Sequence, residues 1–259
     1  MTRDLHRDIA IAFLKETGYQ VKPIPTAQTH GVKRADILAE SATDTLIVEV
    51  KSRLDENGFA DRVKRTSSGQ HADFQNKIRR NETLSSAIED ASRQIESTKC
   101  IYPNAFGIVW LRPQQKFGLF DTLEIALATL LGVKYAHVID PDGTMNLRKC
   151  YYCDFSDFYR YRNIAAVIFN KAIDGLLIPN KWCPEAGPFR RTLLFQDYEK
   201  AEAIFDPHSE VDSGEALVLD GEADLKDEDS IVRALQAQYP GLRVIFTDMW
   251  EVGGVIPLG

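Results

Sequence analysis

The sequence predicts an α/β layered protein built on a mixed sheet, from three observations. Over the first 140 residues, segments with apolar residues at helical spacing alternate with short runs rich in Val, Ile and Leu. Gly, Pro, Asp and Ser mark most of the junctions between them. With 44% hydrophobic residues in 259, the chain can bury one large core or two smaller ones without a disulfide or metal staple.

Leu5, Ile9, Ala10, Phe13 and Leu14 share one helical face, predicting a helix from about Asp4 to Thr17 that stops at Gly18. Tyr19 to Ile24 is a short β-prone run ended by Pro23 and Pro25. Ala35 to Ala39 and Thr45 to Lys51 read as strands around the polar turn 40–44. A polar, basic stretch from Leu54 to Arg80 follows as a long excursion. Leu84, Ile88, Ala91 and Ile95 then mark a second amphipathic helix. Ala105 to Leu111 is the next strand, Leu123 to Leu131 a third helix ending near Gly132, and Tyr135 to Ile139 a strand closed by the turn 140–143.

Beyond Asp140 the pattern weakens. Ile164 to Phe169, Thr192 to Phe195, Ala216 to Leu219 and Leu242 to Thr247 read as strands; Gln196 to Phe205 and Asp227 to Tyr239 read as helices. The Asp206 to Gly221 stretch reads as a linker or loop, being acidic with little apolar periodicity. The expected organisation is a core over 1–140 and an α+β extension over 141–259.

The formal charge is -7, but it is unevenly spread. Asp197 to Asp229 holds thirteen acidic residues against Lys200 and Lys226, leaving the rest of the chain at +4. Phosphate binding by the N-terminal part is therefore electrostatically open, despite the acidic balance. The acidic segment reads most simply as a solvated surface. No run of about 18 apolar residues is present for a membrane span. The start enters a charged amphipathic segment without a signal-peptide stretch, and the four cysteines do not suggest a disulfide framework. A cytoplasmic protein with reduced thiols and no membrane partner is expected.

In the run from Thr45 to Arg53, period-2 alternation puts Glu49 and Lys51 on one face of a strand and Val48 and Val50 on the other. One hairpin earlier, Asp36 sits on the neighbouring strand, where cross-strand partners stand within about 5.5 Å. An E-x-K pair alone is most simply a solvated ion pair worth at most about 1 kcal/mol. Two carboxylates converging with a lysine at strand ends point instead to a hard cation such as Mg²⁺, which polarises a phosphodiester and lowers the pKa of an attacking water.

Ala35-Asp36-Ile37, a turn, and Ile47-Val48-Glu49-Val50-Lys51 resemble the PD-(D/E)XK superfamily of restriction-endonuclease-like nucleases, over about residues 4 to 140. The resemblance implies an αβββαβ core with a central mixed sheet flanked by helices. It implies Mg²⁺ or Mn²⁺ held by Asp36, Glu49 and the Val50 carbonyl, with Lys51 serving the nucleophilic water. Gln94 resembles the glutamine that many members carry on the following helix. On the first helix the family's acidic position falls on Arg7, so either Asp8 is the substitute ligand or the third metal ligand is absent. The implied activity is hydrolysis of DNA phosphodiesters, in a setting such as antiphage defence or repair. The alternatives are an RNA-directed nuclease or a catalytically silent member acting as a nucleic-acid-binding or assembly module.

Arg53, Arg62, Lys64, Arg65, Lys77, Arg79 and Arg80 are the candidate phosphate contacts, with His30, His71 and Phe74 as possible helpers. A charge run of this kind is equally a solvated face. Cys150-Tyr-Tyr-Cys153 has metal-knuckle spacing that Cys183 and His208 would have to complete; lacking a second C-x₂-C, zinc is not expected. Tyr151, Tyr152, Phe155, Phe158, Tyr159 and Tyr161 read as packing rather than base stacking. Cutting both strands of a duplex with one site per chain calls for a symmetric dimer, so homodimer or partner contacts are expected after residue 140.

Overall fold

The computed structural model describes residues 3–25, 33–51, 72–112, 121–170 and 175–255. The chain is α/β, with mixed sheets flanked by helices. It divides into two units, each discontinuous in sequence. One comprises Met1–Arg53, Glu82–Gln114 and Asp157–Asp206, the other Leu54–Asn81, Gln115–Ser156 and Pro207–Gly259.

The first unit opens with helix α1 (Arg3–Glu16) and strands β1 (Gln20–Pro23), β2 (Ile37–Glu40) and β3 (Thr45–Lys51). His6, Ala10 and Leu14, spaced by four, form the buried stripe of α1. Gly18, at φ 102°, turns the chain out of the helix, in a left-handed conformation that a β-carbon disfavours. Helix α2 (Glu82–Lys99) and β5 (Phe106–Leu111) follow, with β4 (Ala72–Lys77) between β3 and α2 in sequence but assigned to the other unit. Within the first unit the order from residue 3 to 111 is therefore helix, three strands, helix, strand.

The sheet continues through β8 (Ile164–Asn170) and β9 (Gly175–Pro179), in the spatial order β1-β2-β3-β5-β8-β9. β3, β5 and β8 are parallel, whereas β1–β2, β2–β3 and β8–β9 are antiparallel. Central parallel strands must be covered on both faces, and β8 is buried along its whole length. Leu46, Val48, Val50, Ile108, Trp110 and Ile168 pack with α1 in the core of one face. On the other face α2 presses close at Gly107, where a β-carbon would stand 2.6 Å from Ile95 Cγ2.

The second unit holds a four-stranded sheet, in the order β10-β7-β6-β11, made from β6 (Lys134–Ile139), β7 (Met145–Tyr151), β10 (Ala216–Val218) and β11 (Arg243–Thr247). β12 (Trp250–Val255) pairs with β4 as a separate antiparallel ribbon. Helix α3 (Asp121–Leu131) also belongs to this unit.

Several sequence expectations change. Contacts divide the chain otherwise than at the expected boundary of 140: β8 and β9 complete the first sheet, while α3 and β6, placed by sequence in the same layered core, belong to the other unit. Local periodicity cannot report which sheet a strand joins. The strand expected over Thr192–Phe195 is the start of a helix, Leu193–Lys200, because the Thr192 hydroxyl accepts the Phe195 N–H as an N-cap. The supposed linker at 206–221 contains a helix, Pro207–Asp212, and strand β10. The basic excursion ends in β4, and β7, β9 and β12 were not anticipated.

Candidate active site

Glu49 and Lys51 lie at the carboxyl end of β3. Since Leu46, Val48 and Val50 enter the core on the α1 face, alternation turns Ile47, Glu49 and Lys51 toward the α2 face. Asp36 precedes β2 by one residue. Continuing the register that pairs Leu38 with Ile47 and Ile37 with Val48 sets Asp36 opposite Glu49. Asp36 is half-buried, and its Oδ2 accepts the Val50 N–H at 3.0 Å, which ties the carboxylate to the strand that carries Glu49 and Lys51.

Glu49 is 0% exposed, and its Oε1 stands 2.9 Å from Lys51 Nζ, a side chain 17% exposed. Removing a carboxylate from water costs several kcal/mol, which only a close countercharge and hydrogen bonds offset. The bland reading of E-x-K as a solvated pair therefore does not describe this pair. The sheet places it at the carboxyl edge of parallel strands, the edge at which open α/β sheets bind ligands. β5 runs alongside β3, pairing Lys51 with Leu111, and the Arg112 N–H donates to the Lys51 carbonyl at 2.9 Å.

Gln94 is buried on α2, on the side shared with Ala91, Ile95 and Thr98. The Thr98 hydroxyl accepts the Ala35 N–H at 3.0 Å, so this part of α2 is fastened to the residue preceding Asp36. Asp8 is exposed, on the side of α1 turned away from His6, Ala10 and Leu14, while Glu49 faces the opposite side of the sheet. Among the described residues no three or more His, Cys, Asp or Glu side chains group as a metal site. Asp8 is thus not brought to the carboxylate pair; it lies one residue, about 100° of helix rotation, beyond Arg7.

Arg53, Arg62, Lys64 and Arg65 lie outside the described residues, as do His30 and His71. Lys77 closes β4, opposite Trp250, and Phe74 pairs with Gly253; Arg79 is exposed and Arg80 half-buried. All four residues fall in the second unit by chain grouping, whereas Asp36, Glu49 and Lys51 fall in the first. Cys150 and Cys153 are buried in the second unit and Cys183 in the first, all as free thiols; His208 is exposed and stands 3.6 Å from Asp220. Of the aromatic run, Tyr151, Tyr152 and Phe158 are buried, and Phe155 and Tyr159 are exposed.

Two residues near this edge escaped the sequence reading. His6 is buried on α1, and burial, then the nearby Arg112 guanidinium, hold its imidazole below the ordinary histidine pKa. The available signal for His6 was its i, i+4, i+8 spacing with Ala10 and Leu14. For Arg112 it was a cation directly after an apolar strand, the same pattern that drew attention to Lys51. No helix among the described residues is long and apolar enough to cross a membrane. Comparison of the chain with protein-family models, curated proteins and solved structures found no match.

Proposed function

We propose that the chain is a metal-dependent nuclease that hydrolyses DNA phosphodiester bonds, with a restriction-endonuclease-like core in its first unit. The observation that carries this reading is the fully buried Glu49, held 2.9 Å from Lys51 at a strand end, with Asp36 opposite by register. A buried carboxylate–lysine pair is a poor source of stability compared with apolar packing. Its retention at a ligand-binding edge therefore favours a chemical role. Within the first unit, the helix, three-strand, helix, strand order up to residue 111 supports the core assignment.

The available donors are all oxygen: the Asp36 and Glu49 carboxylates and the Val50 carbonyl. That set fits Mg²⁺ or Mn²⁺, which take carboxylates together with waters and phosphate oxygens. When bound, the metal supplies Lewis-acid polarisation of the phosphodiester and a more acidic water. Lys51 orients the attacking water and stabilises the charge that builds on the phosphate oxygens. Asp36, fixed by the Val50 N–H, holds the two strands in register at the site. Gln94 is the supporting residue on α2.

The test is incubation of purified protein with plasmid, linear and single-stranded DNA, and with RNA, in Mg²⁺ or Mn²⁺. Cleavage of DNA that disappears in Glu49→Ala and Lys51→Ala is expected; cleavage surviving in both variants refutes the assignment. Preference for RNA makes the chain an RNA-directed nuclease on the same residues. One observation favours a catalytically silent binding module instead: the described residues bring together two carboxylates rather than three, and one oxygen of Asp36 is engaged by the backbone. That reading predicts nucleic-acid binding without cleavage, unchanged by Lys51→Ala or by chelation. A symmetric dimer for duplex cutting is an associated proposal, checked by light scattering.

A further inference from the structure

The sheet face opposite Glu49 and Lys51 carries a second polar group at the same carboxyl edge. Trp110 and Arg112 alternate onto the α1 face, and the β5–β8 register pairs Trp110 with Ile168. One pleat further, Arg112 is set beside Asn170, the last residue of β8. Asn170 pairs in turn with Gly175, whose β-carbon, if present, would stand 2.7 Å from the Tyr198 hydroxyl. Phe13 of α1 lies between the aromatics, with its ring centroid 5.3 Å from that of Trp110 and 5.6 Å from that of Tyr198.

Four polar atoms on this face are buried and without a hydrogen-bond partner among the described residues: Trp110 Nε1, Arg112 Nη1, Asn170 Oδ1 and Tyr198 Oη. Trp110 is 0% exposed, Asn170 4% and Tyr198 4%. Buried polar atoms are paired in nine cases of ten or more, so four on one face are unusual. Three of them are on N–H or O–H donors, and one donor is a permanent cation. Among the described residues no carboxylate lies within ion-pair distance of Arg112. Donors and a guanidinium without a described carboxylate partner select an oxyanion, which a guanidinium grips with two parallel hydrogen bonds. The Asn170 amide, turned either way, supplies an N–H₂ donor or accepts from a protonated oxygen.

We infer that Arg112 and Asn170, above a floor of Trp110 and Tyr198, form a phosphate-binding subsite at the carboxyl edge of the first unit's sheet. The inference rests on the nuclease reading for its ligand, a backbone phosphate of the nucleic-acid strand other than the one being cut. The Arg112 N–H bond to the Lys51 carbonyl makes this group the immediate neighbour of the catalytic strand end. Half-exposed Arg112 gives the ligand its entry, while the buried Asn170 limits the site to a small group.

The experiment is fluorescence anisotropy with an end-labelled oligonucleotide in EDTA, so that binding is read without cleavage. Inorganic phosphate titrated against protein melting forms a second arm. Arg112→Gln is expected to weaken oligonucleotide binding about tenfold and to lower the slope of log affinity against log salt by about one contact. Arg112→Lys retains the salt slope while losing the two-pronged grip, and Asn170→Ala weakens binding without altering the slope. Phosphate is expected to raise the melting temperature of the wild type but not of Arg112→Gln. A phosphate shift with unchanged oligonucleotide binding overturns the strand assignment and leaves a free-anion site. Wild-type affinity in both arms for Arg112→Gln with a native circular dichroism spectrum overturns the subsite, as does a wild type that binds neither probe. Should Arg112→Gln fail to fold, Arg112→Lys and Asn170→Ala decide the matter in the same two arms. The nuclease reading fails separately, in the cleavage assay.

Discussion

Replacing Lys51 by methionine keeps most of the side-chain volume and removes the charge that faces Glu49. At 2.9 Å the pair's attraction is about 6 kcal/mol for an effective dielectric near 20. The 17% exposure of Lys51 lets water screen part of this, whereas Glu49 at 0% exposure has no such relief. Breaking a buried pair from one side costs about 3–5 kcal/mol, because the remaining ion loses its close countercharge. We therefore expect Lys51→Met to lose about that much stability. Glu49→Gln should lose less than about 1.5 kcal/mol, since the lysine stem can carry its ammonium to water. The double variant should lose about 2–3 kcal/mol less than the two single losses summed, which is the coupling the cycle measures. Urea unfolding followed by tryptophan fluorescence measures it, because Trp110 is fully buried in the unit that carries the pair. A Lys51→Met loss below about 1 kcal/mol would mean that the pair behaves as a solvated surface bridge, and the argument from burial to function would fall with it.

Gly107→Ala places a β-carbon 2.5 Å from the Asn163 carbonyl oxygen and 2.6 Å from Ile95 Cγ2. Since a backbone atom cannot simply rotate away, a loss of about 2–3 kcal/mol is expected by urea titration, and a neutral result would show that α2 does not press on β5. The Tyr19 hydroxyl donates to Asp44 Oδ1 at 2.6 Å and accepts the Leu194 N–H at 2.9 Å, so Tyr19→Phe strands both and should cost about 2–3 kcal/mol. Burial, reinforced by the Asp44 hydrogen bond, raises the Tyr19 pKa above the ordinary phenol value. A raised folded pKa gives stability that is complete below about pH 10 and lost as pH climbs through the folded value. Alkaline melting curves should therefore fall less steeply above pH 10 in Tyr19→Phe than in the wild type. An identical slope would remove Tyr19 from the account.

The features most legible in the sequence depend on near neighbours along the chain. α1 was readable because Ala10 and Leu14 repeat at the helical period and Gly18 ends it. β3 was readable because Glu49 and Lys51 alternate with Val48 and Val50. The constellation of Asp36, Glu49 and Lys51 was accessible for the same reason, as a single hairpin carries all three. Thr192 shows the limit of such reading: its neighbours are as β-prone as helical, and the cap hydrogen bond to Phe195 decides between them.

By itself, then, the sequence determined the amphipathic elements of the first unit up to residue 111, their order, and three charged residues delivered by adjacent strands. Tertiary structure alone decided that β8 and β9, more than fifty residues beyond β5, complete the sheet, and that α3 and β6 leave it for the second unit. It also decided that Glu49 is sealed from water while Asp8 is not, and that the β5–β8 register, carried one residue on, sets Arg112 beside Asn170. The physical reason is that alternation and helical period encode which face a side chain takes, whereas burial and partnership depend on strands that meet only when distant segments pack.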